Sequence, residues 1–159
     1  MKKKMNNKGF SLVELIIVIA IMAVLMVVLA PQLLRYVEKT RLQKDNSAIS
    51  EIANAIKIAC ADEKILADVP STPITFTTDA KGNQTYTFTA SSTNAFATEL
   101  ASTIGTVTTS STTYQKAAVA GGAGALVINI TTTSDGSVTV TVDNFYTDTS
   151  TEVDGYAFN

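Results

Sequence analysis

Glu14 stands at the edge of a run in which every residue from Leu15 to Ala30 is apolar. A carboxylate at the centre of a membrane helix costs about 2.5–3.5 kcal/mol on insertion scales, so an acid here calls for a counter-ion or a function. Other groups with chemical potential are few. Asp143, Asp148, Glu152 and Asp154 crowd the C-terminal end. They would hold calcium only if the fold brought their oxygens together, and a solvated acidic tail is the plainer expectation. The chain has no histidine, which removes the commonest general base and the commonest zinc ligand. The GGAG at 121–124 lacks the lysine and following helix of a phosphate cradle and reads as a turn. With no nucleophile–base pair in sight, no catalytic residue, metal or cofactor is expected, and an enzyme is the least fitting class.

The elements that must position Glu14 follow from the distribution of charge and apolar residues. Lys2, Lys3, Lys4 and Lys8 precede the apolar run with no acid among them, so this end is expected to stay in the cytoplasm while the rest is exported. Four of the twelve basic side chains lie there; the remainder carries eight against fourteen acids, a net charge of −6. Such an acidic head argues against a dedicated nucleic-acid surface. The segment from residue 10 to 30 is long enough to span a bilayer, which takes about 20 residues. Pro31 has no N–H to give the Val27 carbonyl, so a kink or an opened turn is expected around residues 27–31.

Three readings compete for the first forty residues. An ordinary secretory signal lacks a convincing small-x-small cleavage site, because Ala30 leads into Pro31. A plain anchor accounts for the length but leaves Glu14 and the Gly9–Phe10 junction unexplained. The third reading uses all of it. The segment KGFSLVEL, residues 8–15, resembles the processing site of type IV prepilins and the related pseudopilins. In those proteins a basic leader ends in Gly, the mature chain starts with Phe, and Glu is its fifth residue. Pro31 matches the proline many pilins carry near the end of the apolar stretch.

The resemblance implies cleavage between Gly9 and Phe10 by a prepilin peptidase and methylation of the new Phe10 amine. It also implies an assembly role in which Glu14 pairs with the Phe10 amine of a neighbouring subunit. Pairing of that kind is better at fixing register than at adding stability. The absence of glycine between Phe10 and Pro31 argues for a kink over extensive melting.

Beyond Pro31 the pattern becomes amphipathic. Ile49, Ile52, Ile56 and Cys60 form one apolar stripe, widened by Ala53 and Ala59, with Lys44, Asp45, Glu51 and Lys57 opposite. The spacing predicts one helix from about Ser11 to about Leu66, bent at Pro31. Cys60, the single cysteine, sits on the stripe as a small hydrophobe, with an intermolecular disulfide as the alternative. Charges from Arg35 to Asp45 read as a solvated face or as subunit contacts.

Pro70 and Pro73 end the helical region. Residues 74–90 read as a hairpin turning at Lys81-Gly82-Asn83. Residues 92–105 read as a short helix capped by Ser92 or Thr93, with Phe96, Leu100 and Ile104 on one face and Gly105 as its stop. Leu126, Ile128 and Ile130 alternate into the Ser134-Asp135-Gly136 turn, and Val138, Val140 and Val142 alternate back. Asn129 matches a glycosylation sequon but falls inside this predicted strand.

The expected fold is α+β: a long kinked N-terminal helix, its first half transmembrane and its second amphipathic, packed on a small antiparallel sheet. The resemblance implies the ladle shape of pilins. The expected organisation is a leader at 1–9, a filament-core helix at 10–37, its exported half at 38–66 and a Thr-rich head at 67–159. The function this points to is a structural subunit of a type IV pilus-like filament. It would be a precursor in the cytoplasmic membrane and then a self-assembled homopolymer at the cell surface, built by a pilus assembly motor and platform. A pseudopilin of a secretion or DNA-uptake system, or a membrane-tethered module that never polymerises, are the alternatives.

Overall fold

A computed structural model describes residues 10–119 and 124–158. The chain divides into two compact units, one ending at Val37 and the other beginning at Glu38. Helix α1 spans Leu12–Ala59 and remains helical through Pro31. No opened turn is seen at residues 27–31.

The helix ends earlier than its apolar stripe suggests. Cys60 N–H still bonds Ile56 O, but Ala61 and Asp62 donate three residues back, to Ile58 O and Ala59 O. This tightened turn is the usual way a helix ends. Asp62 then adopts an extended conformation, and its carboxylate accepts from Lys64 N–H to start the short α2, Glu63–Leu66. A short acidic side chain that can serve the backbone itself favours such a break over helix continuation.

Among the described residues the β-structure is three antiparallel sheets where one was expected. β1 (Ile74–Thr75), β5 (Val127–Thr132), β6 (Val138–Asp143) and β9 (Tyr156–Ala157) form the largest, in the order β1-β5-β6-β9. β2 (Thr77–Thr78), β3 (Gln84–Thr87) and β4 (Thr106–Thr108) form the second, and β7 (Phe145–Tyr146) pairs with β8 (Glu152–Val153). The β5–β6 hairpin follows the alternation: Ile128 faces Val142, Ile130 faces Val140, and Gly136 takes φ +83° in the turn.

The first predicted hairpin is split. Ile74–Thr75 joins β5, Thr77–Thr78 joins β3, and Phe76 between them is buried. One strand thereby feeds two sheets, which sequence alternation alone does not reveal.

The short helix is α3, Ala95–Thr103, and its cap is Asn94, not Ser92 or Thr93. Asn94 Oδ1 accepts from Ala97 N–H at 2.6 Å while its Nδ2 donates to Asp68 O. Gly105 at φ +69° stops the helix and donates to Leu100 O. Within the second unit the core joins Ile49, Ile52 and Ile56 of α1 to Phe96 and Leu100 of α3 and to Ile128, Val140 and Val142 of the sheet. Cys60 is buried among them, free, and its thiol is pushed up by burial, which suits packing over reactivity.

Residues 106–119 supply β4 and a fourth helix, α4, Thr112–Val119. Asp45, expected on the solvated side of α1, is 3 % exposed instead. Its carboxylate accepts from Ser110 N–H and Oγ–H and from Ser111 N–H at 2.7–3.2 Å. Glu38 accepts from Thr113 N–H at 3.2 Å. Both acids therefore serve the amides at the start of α4, where the helix dipole favours negative charge.

The β2–β3 turn packs under α4. Gly82 has φ +85°, and a Cβ there would lie 2.8 Å from Gln115 O and 3.1 Å from its Cα. Gly136 has a similar φ with nothing within 4 Å. Gly136→Ala should cost the conformational term of about 1–2 kcal/mol, and Gly82→Ala about 1 kcal/mol more, because backbone must shift. Urea midpoints of the two variants give the comparison; equal losses would show that the contact with Gln115 does not matter.

Candidate functional site

The processing motif lies at the start of α1. Ser11 is the residue before the helix, and its Oγ accepts from Val13 N–H at 3.4 Å. Glu14 Oε2 accepts from Ser11 N–H at 2.9 Å. Glu14 thus makes the return half of a capping box, while the Ser11 hydroxyl serves the amide of Val13, one residue earlier. A cap of this kind is worth about 0.5–2 kcal/mol, and the dipole adds about 0.3–1 kcal/mol for the carboxylate. Glu14 therefore has a partner within its own chain. The sequence carries this signal in Ser11-Leu12-Val13-Glu14, beside the intersubunit pairing expected of Glu14.

Phe10 precedes the helix and is 87 % exposed. Gly9, the leader and residues 120–123 lie outside the described residues. From Leu12 to Val37 the large apolar side chains are exposed, and the window long and apolar enough to cross a membrane has none of its residues buried in the chain. Among the described residues this length of helix has no packing partner in its own unit. Only lipid tails or other helices can cover it without a large cost, since about 25 cal/mol is lost for each Å² of apolar surface left in water.

In the second unit, the four C-terminal acids are occupied by nearby backbone and side-chain donors. Asp143 accepts from Gly155 N–H and Asn129 Nδ2, Asp154 from Asn144 N–H, and Glu152 from Tyr146 O–H. Asp148 takes the amides and hydroxyls of Ser150 and Thr151. Those donors, led by Ser150 N–H, hold its carboxyl down to about 2. Burial pushes the Tyr146 phenol up to about 12, and the hydrogen bond to Glu152 adds to it. Among the described residues no three metal-ligating side chains converge. Asn129, the sequon residue, spends its amide on Asp143.

Residues 4–30 match the family model of the prokaryotic N-terminal methylation motif, the class III signal-peptide motif of type IV pilins. The motif supports a prepilin of the pilin or pseudopilin kind, and the long apolar helix with antiparallel sheets agrees with the pilin fold. The matched family is a structural one, not a family of enzymes. The motif brings with it processing by a prepilin peptidase and a pilus-type assembly machinery in general terms, and with the apolar helix it indicates membrane anchoring. No match to the chain is found among curated proteins or among solved structures.

Proposed function

We propose that this chain is the structural subunit of a type IV pilus-like surface filament. It is stored in the cytoplasmic membrane with its leader inside, cut after Gly9, methylated on Phe10 and polymerised through residues 10–37. The observation that carries the reading is the exposed apolar helix whose first half lies within the methylation motif. In a filament core that surface exchanges lipid for neighbouring helices, so packing and polar pairing drive assembly more than water exclusion does. Cleavage frees the Phe10 amine four residues before Glu14. Glu14 then exchanges its hydrogen bond to Ser11 N–H for the amine of an adjacent subunit, which fixes the step between subunits. Pro31 leaves the Val27 carbonyl free and gives the helix a bending point there. The assembly motor and platform act on this helix, and the chain itself catalyses nothing.

Intact-mass analysis of filaments sheared from the producing cell tests the reading. The expected product begins at a methylated Phe10 and is recovered in the sheared fraction. Recovery only in membranes with Met1–Gly9 still attached would refute it. Processed protein that never leaves the membrane would assign the chain to the pseudopilins instead.

A further inference from the structure

β4 is an outer strand of the second sheet, paired with β3 and with no strand beyond it among the described residues. Phe88 N–H donates to Gly105 O at 2.8 Å, and Thr109 N–H donates to Gln84 O at 2.9 Å. Bonded pairs come at every second residue along an antiparallel ladder, so the pair between those two is Tyr86 with Val107. Thr106 and Thr108 then turn their N–H and C=O groups away from β3. Both residues are exposed, so this edge stands open.

A groove runs along the edge. It holds about 370 Å³, with Thr106 and Thr108 on one side and Ala48, Glu51 and Ala55 of α1 on the other. Those three residues and Ile58 follow one another by three, four and three, a single stripe of the helix. Ala48 and Ala55 keep the helix wall low. Ile58 is 75 % exposed, and among the described residues no other large apolar side chain of the second unit is left so open. Glu51 is exposed as well, and among the described residues its carboxylate has no hydrogen-bond or ion-pair partner.

Each feature restricts what can lie there. Outward peptide groups at alternate residues match an extended backbone, which presents its own donors and acceptors with the same period. A helix has spent those groups internally. Glu51 calls for a cation, and Ile58 for an apolar side chain. We infer that the groove between β4 and α1 binds an extended segment of another polypeptide that carries basic and apolar side chains, added to the three-stranded sheet as a fourth strand. Bonds to the Thr106 and Thr108 backbone hold it in register, a lysine or arginine meets Glu51, and apolar side chains cover Ala48, Ala55 and Ile58. The edge carries neither the charge nor the proline that commonly blunts a free strand. None of the described strands of this chain contains a lysine or arginine, so the partner is a different polypeptide and not a second copy. The groove belongs to the second unit alone, so its test can fail while the filament reading stands.

The test uses the full chain in micelles of a non-ionic detergent and two dye-labelled heptapeptides. One is Thr-Val-Thr-Lys-Thr-Val-Thr, which puts its cation and its valines on one strand face; the other has glutamate at the centre. Fluorescence anisotropy should give the lysine peptide a Kd below about 1 mM and the glutamate peptide a value about tenfold weaker. Glu51→Gln, a surface change, should bring the two peptides within about threefold of each other. Ala55→Leu, which fills the groove, should weaken the lysine peptide about tenfold at an unchanged melting temperature. Hydrogen exchange at the Thr106 and Thr108 amides should slow when the lysine peptide is bound. The inference is overturned if wild type binds neither peptide or both equally. It is overturned too if the Glu51→Gln chain keeps the full preference, or if bound peptide leaves exchange at Thr106 and Thr108 unchanged.

Discussion

Gln84→Leu is expected to remove about 3–4 kcal/mol from the stability of the second unit, a large share of the roughly 5–15 kcal/mol typical of a whole domain. Gln84 is fully buried at the start of β3. Its Oε1 accepts from Leu126 N–H at 2.6 Å, and its Nε2 donates to Tyr114 O at 3.1 Å and Gly124 O at 3.0 Å. One side chain thus closes the gap between β3, α4 and the segment that leads into β5. Leucine fills similar space but leaves a buried N–H and two carbonyls without this partner, and an orphaned buried group costs about 1–3 kcal/mol. The urea midpoint, followed by tyrosine fluorescence because the chain has no tryptophan, measures the loss. A midpoint within experimental error of wild type would mean that other donors or water replace the amide.

Glu14→Gln is expected to leave processing intact and to reduce filament yield by about a hundredfold, the loss of one desolvated charge pair of roughly 3 kcal/mol. The choice of glutamine matters. Glutamine is also accepted at this position of a capping box, so the hydrogen bond from Ser11 N–H survives and the helix still starts at Leu12. Only the charge is lost. The comparison variant is Ser11→Ala, which weakens the cap by about 1 kcal/mol while keeping the carboxylate. Sheared filament mass and the N-terminal peptide are read for both. If Glu14→Gln assembles normally and Ser11→Ala does not, helix capping and not ion pairing is what assembly needs.

The parts of the molecule legible in the sequence are those set by local pattern. The apolar run shows by its length and unbroken composition, the Ile49-Ile52-Ile56 stripe and the hairpin through Gly136 by periods that backbone geometry dictates, and the structure keeps all three. The processing motif was equally legible, because its residue types coincide within a few positions. What was not legible depends on long-range partners. Nothing in the spacing of Asp45 distinguishes it from Lys44, yet the amides of Ser110 and Ser111 draw it inward. Phe76 marks no boundary in an alternating stretch, yet the chain changes sheets there. Asn94 won the cap from Ser92 and Thr93 because Asp68, far back in the chain, holds its amide and the Ala95 N–H. Gln84 looks like any polar turn residue until the backbone around it is assembled.

Glu38 and Asp45 are seven residues apart on α1, about two turns, and so reach the same end of α4. One residue inserted between them would swing one acid about 100° around the axis and away from its amides. Two inserted residues would do worse, and only a change that restores about two whole turns would keep both bonds. Among relatives of this chain, length changes are therefore expected in the turns at residues 89–93 and 133–137 and excluded from residues 38–45. In that stretch the helix acts as a ruler, and evolution can recolour its markings but cannot move them.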